Sequence, residues 1–141
     1  MQGKRGLIMG LANDRSLAWG IAKALGDEGA ELAFSYQGEA LEKRVRPLAE
    51  QLGSDMLLDC DVSSTEALDQ SFAELAKKWD SLDFVVHAIG FSDKNELRGK
   101  FVDTTLDNFL LTMNISVYSF IAMAQRARAM MTPGGSLLTL T

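Results

Sequence analysis

The amino-acid sequence predicts an α/β domain built on a doubly wound parallel sheet. Short apolar runs alternate with longer segments in which apolar residues recur every three or four positions. The 141 residues hold only two prolines and no repeat or Pro/Gly-rich linker. Strands that alternate with helices form βαβ units, with helices on both faces of a parallel sheet. We therefore predict one domain over residues 1–141.

Five runs rich in apolar, β-branched or aromatic residues are the predicted strands. They cover residues 5–10, 31–36, 55–60, 83–90 and 136–141. The fourth run contains "FVVHAIG" and is almost continuously apolar, as expected of a strand that helices bury on both faces. Ligands of doubly wound sheets bind beyond the carboxyl ends of the strands. The segments after Gly10, Tyr36, Cys60 and Gly90 are therefore the loops where we expect a site.

Four segments with helical apolar spacing separate these strands. They cover residues 17–28, 39–52, 64–78 and 105–131. Ser63 with Glu66 three positions later predicts a capping box, and Gly29 and Gly53 stand where a left-handed C-cap is expected. Pro133-Gly134 is expected to end the last helix.

Composition and charge narrow the class of ligand. The formal net charge is −5 and no long Lys/Arg block is present, which argues against a nucleic-acid partner and for a small molecule. The single cysteine, Cys60, allows no internal disulfide, and no secretory leader pattern is present, so we expect a cytoplasmic protein.

The longest apolar stretch, residues 109–131, is broken by four polar or charged side chains. These are Asn114, Gln125, Arg126 and Arg128. The interruptions argue against a membrane span and for a long helix buried on more than one side, with its methionines (113, 123, 130 and 131) packed. His87, the only histidine, lies in a predicted buried strand, so we expect a hydrogen-bonded core residue. Cys60 is expected to be a buried apolar group, and His87 with Cys60 makes no metal cluster.

The loop after the first strand reads "MGLANDRSLAWG" and contains neither G-x-G-x-x-G nor a P-loop. Gly10 would let a ligand approach the backbone, and Ala18 and Gly20 would let the helix lie close to the sheet. Ser16 and Leu17 would present amides at a helix N-terminus, which suits a pyrophosphate, and the serine hydroxyl adds a donor. The alternative is an ordinary strand-to-helix turn.

The loop after the second strand bears on the choice of dinucleotide. Gln37 offers a donor and an acceptor to ribose hydroxyls, and no arginine stands directly beside it to hold a 2′-phosphate. NADH is therefore favoured over NADPH, although Lys43 and Arg44 keep NADPH open. A solvated loop residue is the alternative for Gln37.

The third and fourth strands end in further candidate residues. Asp61 can accept a hydrogen bond from the adenine amine and Val62 can pack on the ring, or Asp61 simply leads into the helix that Ser63 caps. Ile89 and Gly90 stand at the predicted switch point, where a small residue lets a ribose and nicotinamide pass, or where a glycine simply ends the strand.

Together these residues resemble a known family. The pattern G-x5-S-x-A-x-G, with "ELAFSYQ", "CDV", "HAIGF" and "YSFIAMA", is similar to the enoyl-acyl-carrier-protein reductases of bacterial type II fatty acid synthesis. That family is a divergent, Rossmann-like branch of the short-chain dehydrogenases/reductases. The resemblance runs through essentially all 141 residues.

The resemblance implies NADH-dependent reduction of the trans-2 double bond of an enoyl group on acyl carrier protein. The positions that match the family's dinucleotide site are Gly10, Ser16, Leu17, Gln37, Asp61, Val62, Ile89 and Gly90. Those that match the start of its acyl pocket, where Gly90 also falls, are Phe91, Ser92 and Leu97. Asn114 falls near a structural or proton-relay asparagine of many short-chain dehydrogenases. The resemblance also implies a homotetramer in which helix 105–131 is an interface; the alternative is that parts of the chain beyond these 141 residues cover this helix.

The family's catalytic tyrosine and lysine are expected beyond Thr141, so the sheet is expected to be truncated after about five strands and the 141 residues to be inactive alone. Neither Tyr36 nor Tyr118 stands in a suitable position. Two alternatives remain. One is another short-chain dehydrogenase acting on a carbonyl or hydroxyl, and the other is a non-catalytic NAD(H)-binding regulatory module.

Overall fold

A five-stranded parallel sheet forms the centre of residues 1–140, the part of the chain that the computed structural model describes. The strands are β1 (Arg5–Met9), β2 (Glu31–Tyr36), β3 (Leu57–Asp59), β4 (Phe84–His87) and β5 (Ser136–Thr139). Their order in the sheet is β3-β2-β1-β4-β5, and every neighbouring pair is parallel. The chain thus builds outward from β1 in one direction and then in the other, which confirms the doubly wound sheet and puts the switch point between β1 and β4.

Helices cover both faces of this sheet. They are α1 (Leu17–Asp27), α2 (Glu39–Gln51), α3 (Thr65–Lys78), α4 (Leu106–Met113) and α5 (Ser119–Ala127). Alternate residues of β1 face opposite sides, so Ile8 joins an apolar cluster with α1 and α2, whereas Leu7 joins one with α3 and α5. Two apolar cores, one on each face, hold the sheet in place.

Most strands are shorter than predicted, although β2 matches. β3 starts two residues late, and β4 ends at His87, so that residues 88–90 lie beyond the strand and line a cleft at the switch point. The last predicted strand residue, Thr141, lies outside the described residues. Gly29 and Gly53 have φ values of 84° and 71°, which confirms the left-handed turns predicted after α1 and α2.

The predicted capping box of α3 is wrong by one residue. Ser64, not Ser63, is the N-cap, and its hydroxyl oxygen accepts a hydrogen bond from the Ala67 amide at 3.1 Å. Glu66 contacts the Ser64 hydroxyl at 3.2 Å and is not the third helical residue that a capping box requires. Either of the two adjacent serines could cap the helix. Ser63 bonds to Asp61 in the preceding turn, which leaves Ser64 as the N-cap.

We expect Ser64→Ala to lower the free energy of unfolding by about 1 kcal/mol, because an amide in the first turn of α3 loses its acceptor. Ser63→Ala is the matched control: this exposed serine caps no helix and loses only a solvent-exposed hydrogen bond from its hydroxyl to Asp61, so its effect should stay within about 0.5 kcal/mol. Urea denaturation of both variants measures the difference. Equal losses would contradict the placement of the cap.

The predicted helix over residues 105–131 is confirmed as one continuous helical run, but it is shorter, Leu106–Ala127, and it is not regular throughout. A π-helical segment, Asn114–Tyr118, separates α4 from α5, and α5 ends at Ala127, before Pro133-Gly134. The helix is not buried on several sides, because apolar side chains along α4 and the π-helical segment are exposed. They include Leu106, Phe109, Leu110, Leu111, Met113 and Val117.

The methionines of this region divide in the same way. Met123 and Met130 are buried, as predicted, whereas Met113 is exposed. By length and composition, the 22 residues of Leu106–Ala127 are enough to cross a membrane, so the polar side chains that interrupt this helix do not by themselves exclude a span. Arg126 joins the end of this helix to α3 through an ion pair with Asp69 at 2.7 Å, so that end packs on the domain.

Candidate functional site

A cleft opens at the carboxyl ends of the parallel strands. It consists of two adjoining cavities of about 360 and 280 Å³, which share Gly10, Ala88, Ile89 and Gly90 in their walls. The larger cavity extends over the ends of β2 and β3, and the smaller one reaches the start of α1. The cleft therefore lies at the topological switch point, where doubly wound sheets bind ligands.

Gly10 closes the floor of both cavities. Its φ is 96°, and a Cβ atom placed on it would lie 2.1 Å from the Ala88 carbonyl oxygen. No L side chain fits this position without moving β4 away. The glycine is thus required by the packing of the loops after β1 and β4, in addition to any approach of a ligand.

Ser16 organises the loop between β1 and α1. Its hydroxyl oxygen accepts hydrogen bonds from the Ala12 and Asn13 amides, both at 3.1 Å, which leaves the hydroxyl hydrogen for another partner. Its own amide donates to the Asn13 carbonyl at 3.1 Å, so the prediction of a free Ser16 amide is wrong. Leu17, whose amide opens α1, lines the smaller cavity.

The small residues of α1 have different roles. Ala18 is 1% exposed and packs on the sheet, as predicted. Gly20 is exposed, and a Cβ atom there would meet nothing within 4 Å among the described residues, so its predicted close-packing role is wrong. One small residue is enough because only one side of this turn faces β1.

Gln37 lies on the rim of the larger cavity. The residues on either side of it form hydrogen bonds that fix the loop. The Gly38 amide donates to Asp59 Oδ1 at 2.8 Å, and the Cys60 amide donates to the Tyr36 carbonyl at 2.7 Å. The backbone is anchored on both sides of Gln37, while its side chain is exposed.

Asp61 and Val62 line the same cavity. Asp61 Oδ1 accepts hydrogen bonds from the Ser63 hydroxyl at 2.6 Å and the Ser63 amide at 2.9 Å. The Ser63 hydroxyl bond lowers the pKa of Asp61. Asp61 therefore carries a charged carboxylate at neutral pH, with Oδ1 held in the local turn and the residue in the wall of the cavity beside Gln37.

Ile89, Gly90 and Phe91 form the wall at the end of β4. The nearest heavy atom to a Cβ on Gly90 would be Ser116 Oγ at 4.0 Å, so one side of this residue is open. Ser92 and Leu97 line neither cavity: Ser92 bonds to α4, and Leu97 is 70% exposed. These two predicted substrate residues are not brought together with the others in residues 1–140.

The sequence analysis missed several residues of the cleft. They are Leu11, Ala12, Ser35, Leu41 and Ile115 in the larger cavity and Leu140 in the smaller one. Leu11 and Ala12 follow Gly10 directly, so the rule that pointed to Gly10 could have included them. Ile115 had no such signal, because it reaches the cleft only through the π-helical segment. Asn114 is exposed and lines neither cavity.

Comparisons with known proteins agree with this geometry. The family model described as enoyl-(acyl carrier protein) reductase matches residues 10–141. The chain belongs to the enoyl-acyl-carrier-protein reductase family. A curated relative, enoyl-[acyl-carrier-protein] reductase [NADH] 1 of Rhizobium meliloti, is 60% identical over 141 residues, which are 100% of this chain and 52% of that protein.

Two solved reductases show the same fold. The enzyme of Anaplasma phagocytophilum, solved in complex with NAD, superposes with a TM-score of 0.97 at 58% identity and covers 100% of this chain and 54% of its own. The enzyme of Bacillus cereus, solved with NADP+ and an indole naphthyridinone, has a TM-score of 0.95 at 46% identity, covering 99% and 55%. The chain thus spans about half the length of the relatives it matches.

The cleft has the chemistry that a dinucleotide needs. Apolar side chains of Leu41, Val62 and Ile115 can face a flat ring, and the start of α1 directs partial positive charge at the smaller cavity. Gln37 and Asp61 add polar groups at the far end of the larger cavity. The donor set therefore fits a ligand with an aromatic base, a sugar and a pyrophosphate.

Two titratable residues beside the cleft have structural roles. His87 is buried, and burial lowers its pKa, as expected of a core histidine. Cys60 is 4% exposed, and burial raises its pKa, so it is a packed thiol and not a reactive one. Residues 1–140 contain no cluster of metal-binding side chains.

Proposed function

We propose that this chain is the cofactor-binding half of an NADH-dependent enoyl-acyl-carrier-protein reductase, with residues 1–141 forming part of one Rossmann-like domain. The observation that carries the proposal is the convergence of four loops, one from each of β1 to β4, on a single cleft. Membership of the reductase family, and a relative solved with NAD, support the choice of ligand.

In this proposal each loop holds one part of the cofactor. Gly10, Ser16 and Leu17 contact the pyrophosphate, where the Ser16 hydroxyl hydrogen and the Leu17 amide are donors. Gln37 binds the adenosine ribose, and Asp61 with Val62 binds the adenine. Ile89 and Gly90 border the second ribose and the nicotinamide.

The reduction itself needs groups on both sides of the substrate. Bound NADH supplies the hydride for the β-carbon of the enoyl thioester. In our proposal Phe91, Ser92 and Leu97 begin the acyl pocket, and a tyrosine and lysine C-terminal to Thr141 stabilise and protonate the enolate. In this proposal Tyr36 lies at the adenosine end of the larger cavity, and Tyr118 lines neither cavity, so neither takes the catalytic role. We therefore propose that the 141 residues alone have no activity.

NADH oxidation at 340 nm with a crotonyl thioester tests this function. We expect turnover by the complete gene product that contains this sequence and none by the 141 residues expressed alone. Absence of turnover in the complete protein would overturn the reductase proposal, and NADH binding without turnover would then favour a regulatory module. Turnover by the 141 residues would refute the requirement for groups beyond Thr141.

We also propose that the complete protein is a cytoplasmic homotetramer that meets acyl carrier protein as its partner. The exposed apolar side chains of α4, the π-helical segment and α5 support self-association, because an apolar surface of this extent is unusual on a monomer. Light scattering of the purified protein would give the mass of four chains if the proposal is right.

The loop after β2 allows a test of cofactor choice. We expect Gln37→Glu to weaken NADPH binding at least about tenfold, because the new carboxylate would repel the 2′-phosphate, and to change NADH binding little. Gln51→Glu, the same change at the far end of α2, is the matched control and should leave both affinities unchanged. Unaltered NADPH binding in Gln37→Glu would remove Gln37 from the ribose site.

A further inference from the structure

Polar side chains on one face of α4 and the segments beside it hold the loop that follows β4. Thr105, Asn108, Thr112 and Ser116 recur at intervals of three and four residues, which places them on one side of the helix. We name these four residues the polar seam and residues 91–96 the cleft loop. Each member of the polar seam bonds to the cleft loop.

Asn108 is the centre of the polar seam. It is 7% exposed, although both of its neighbours on the helix are exposed. Its Oδ1 accepts from the Asp93 amide at 3.0 Å, and its Nδ2 donates to Ser92 Oγ at 3.1 Å. The Thr112 hydroxyl adds a hydrogen bond to the same Ser92 oxygen at 2.9 Å. A buried amide thus replaces the backbone partners that the loop lacks.

The ends of the cleft loop are attached in the same manner. The Phe91 amide donates to Ser116 Oγ at 3.0 Å, and the Ser116 hydroxyl lies 3.2 Å from the Phe91 carbonyl oxygen. At the other end, the Thr105 amide and hydroxyl donate to the Glu96 carboxylate, at 3.2 and 2.9 Å. The loop forms no strand or helix of its own, so these bonds with α4 determine its position.

We propose that Asn108 is a positioning residue that, with the rest of the polar seam, holds Ser92 and Asp93 behind the cleft and so fixes Phe91 as its substrate-side wall. A loop held before binding does not have to lose its freedom when the substrate arrives, and this lowers the cost of binding. The kinetic consequence rests on the proposed function. The attachment of the loop is a property of the folded chain and can be tested without it.

Amide hydrogen exchange of the complete gene product tests the attachment. We expect Asn108→Ala to speed exchange of the Asp93 amide at least about tenfold, because that amide loses its buried acceptor. Asn108→Asp keeps an acceptor oxygen and should restore most of the protection. Asn95→Ala, in the same loop with an exposed side chain, is the matched control. Unchanged exchange of Asp93 in Asn108→Ala would overturn the proposal.

Steady-state kinetics test the consequence for the substrate. We expect Asn108→Ala and the milder Thr112→Val to raise KM for a crotonyl thioester about five- to tenfold, and to leave the Kd for NADH within about twofold. If Asn108 had a purely structural role, its replacement would lower thermal stability and would change KM for the thioester and Kd for NADH to a similar extent. If an active Thr112→Val enzyme has the same KM for the crotonyl thioester as the wild type, the positioning role is overturned. A wild-type protein without turnover would overturn the proposed function instead, while the exchange data would still decide the attachment.

Discussion

Replacement of Gly10 by alanine is expected to destabilise the protein by about 2 to 4 kcal/mol and to weaken NADH binding at least about tenfold. The added Cβ would lie 2.1 Å from the Ala88 carbonyl, and the backbone would have to keep a φ of 96°. Relief of both strains moves the segment after β4, and this segment lines both cavities of the cleft.

Urea denaturation and a calorimetric titration with NADH measure the two effects. Gly20→Ala is the matched control, because its Cβ would meet nothing within 4 Å among the described residues and alanine favours a helix by up to about 1 kcal/mol. That variant should be as stable as the wild type or more so. An unchanged free energy of unfolding and NADH affinity in Gly10→Ala would contradict the packing described for the cleft floor.

Replacement of His87 by leucine is expected to lower the free energy of unfolding at pH 7.5 by about 1 to 3 kcal/mol. Nε2 lies 2.7 Å from Ser119 Oγ, and that hydroxyl donates its only hydrogen to the Ile115 carbonyl at 2.6 Å. Nε2 must therefore carry the proton of the ring, and Nδ1 accepts from the Thr139 hydroxyl at 3.2 Å. The variant leaves Thr139 without this partner.

The same histidine makes stability depend on pH. Burial lowers the pKa of folded His87 below the ordinary value of 6.5, so below that pH the unfolded chain binds a proton that the folded chain does not. The free energy of unfolding of the wild type should fall as the pH decreases from about 7.5 to 5.5. His87→Leu should show a smaller decrease, and Thr139→Val should keep the wild-type slope. Parallel pH profiles for the wild type and His87→Leu would contradict a buried neutral histidine.

Much of the architecture follows from local pattern and the geometry of parallel sheets. Alternating strands and helices predicted the doubly wound sheet. The rule that ligands bind at carboxyl ends predicted that Gly10, Gln37, Asp61 and Gly90 share one cleft. These residues are far apart in sequence, yet they meet because every strand points the same way.

Other features have no local signal. Ser63 and Ser64 are equally good caps, and only the hydrogen bonds at Asp61 separate them. Nothing in the composition of Asn114–Tyr118 predicts a π-helical segment, although this segment brings Ile115 to the cleft. The apolar period predicted a buried helix, because hydrophobicity alone does not distinguish a core helix from one with an exposed apolar face.

The polar seam is different, because its spacing is visible in the sequence. Thr105, Asn108, Thr112 and Ser116 form a polar stripe on an otherwise apolar helix, and such a stripe predicts a polar partner. The prediction for this helix rested on its apolar residues and on Asn114, and did not include this polar stripe. The spacing does not say which segment is the partner. Only the structure shows that it is the cleft loop.

Calorimetric titration of the complete gene product with NADH and NADPH tests the central claim, that this cleft is an NADH site. We expect one NADH per chain, with a Kd between about 1 μM and 1 mM, and NADPH at least about tenfold weaker. A folded protein that binds neither nucleotide, or binds NADPH more tightly than NADH, would contradict the account.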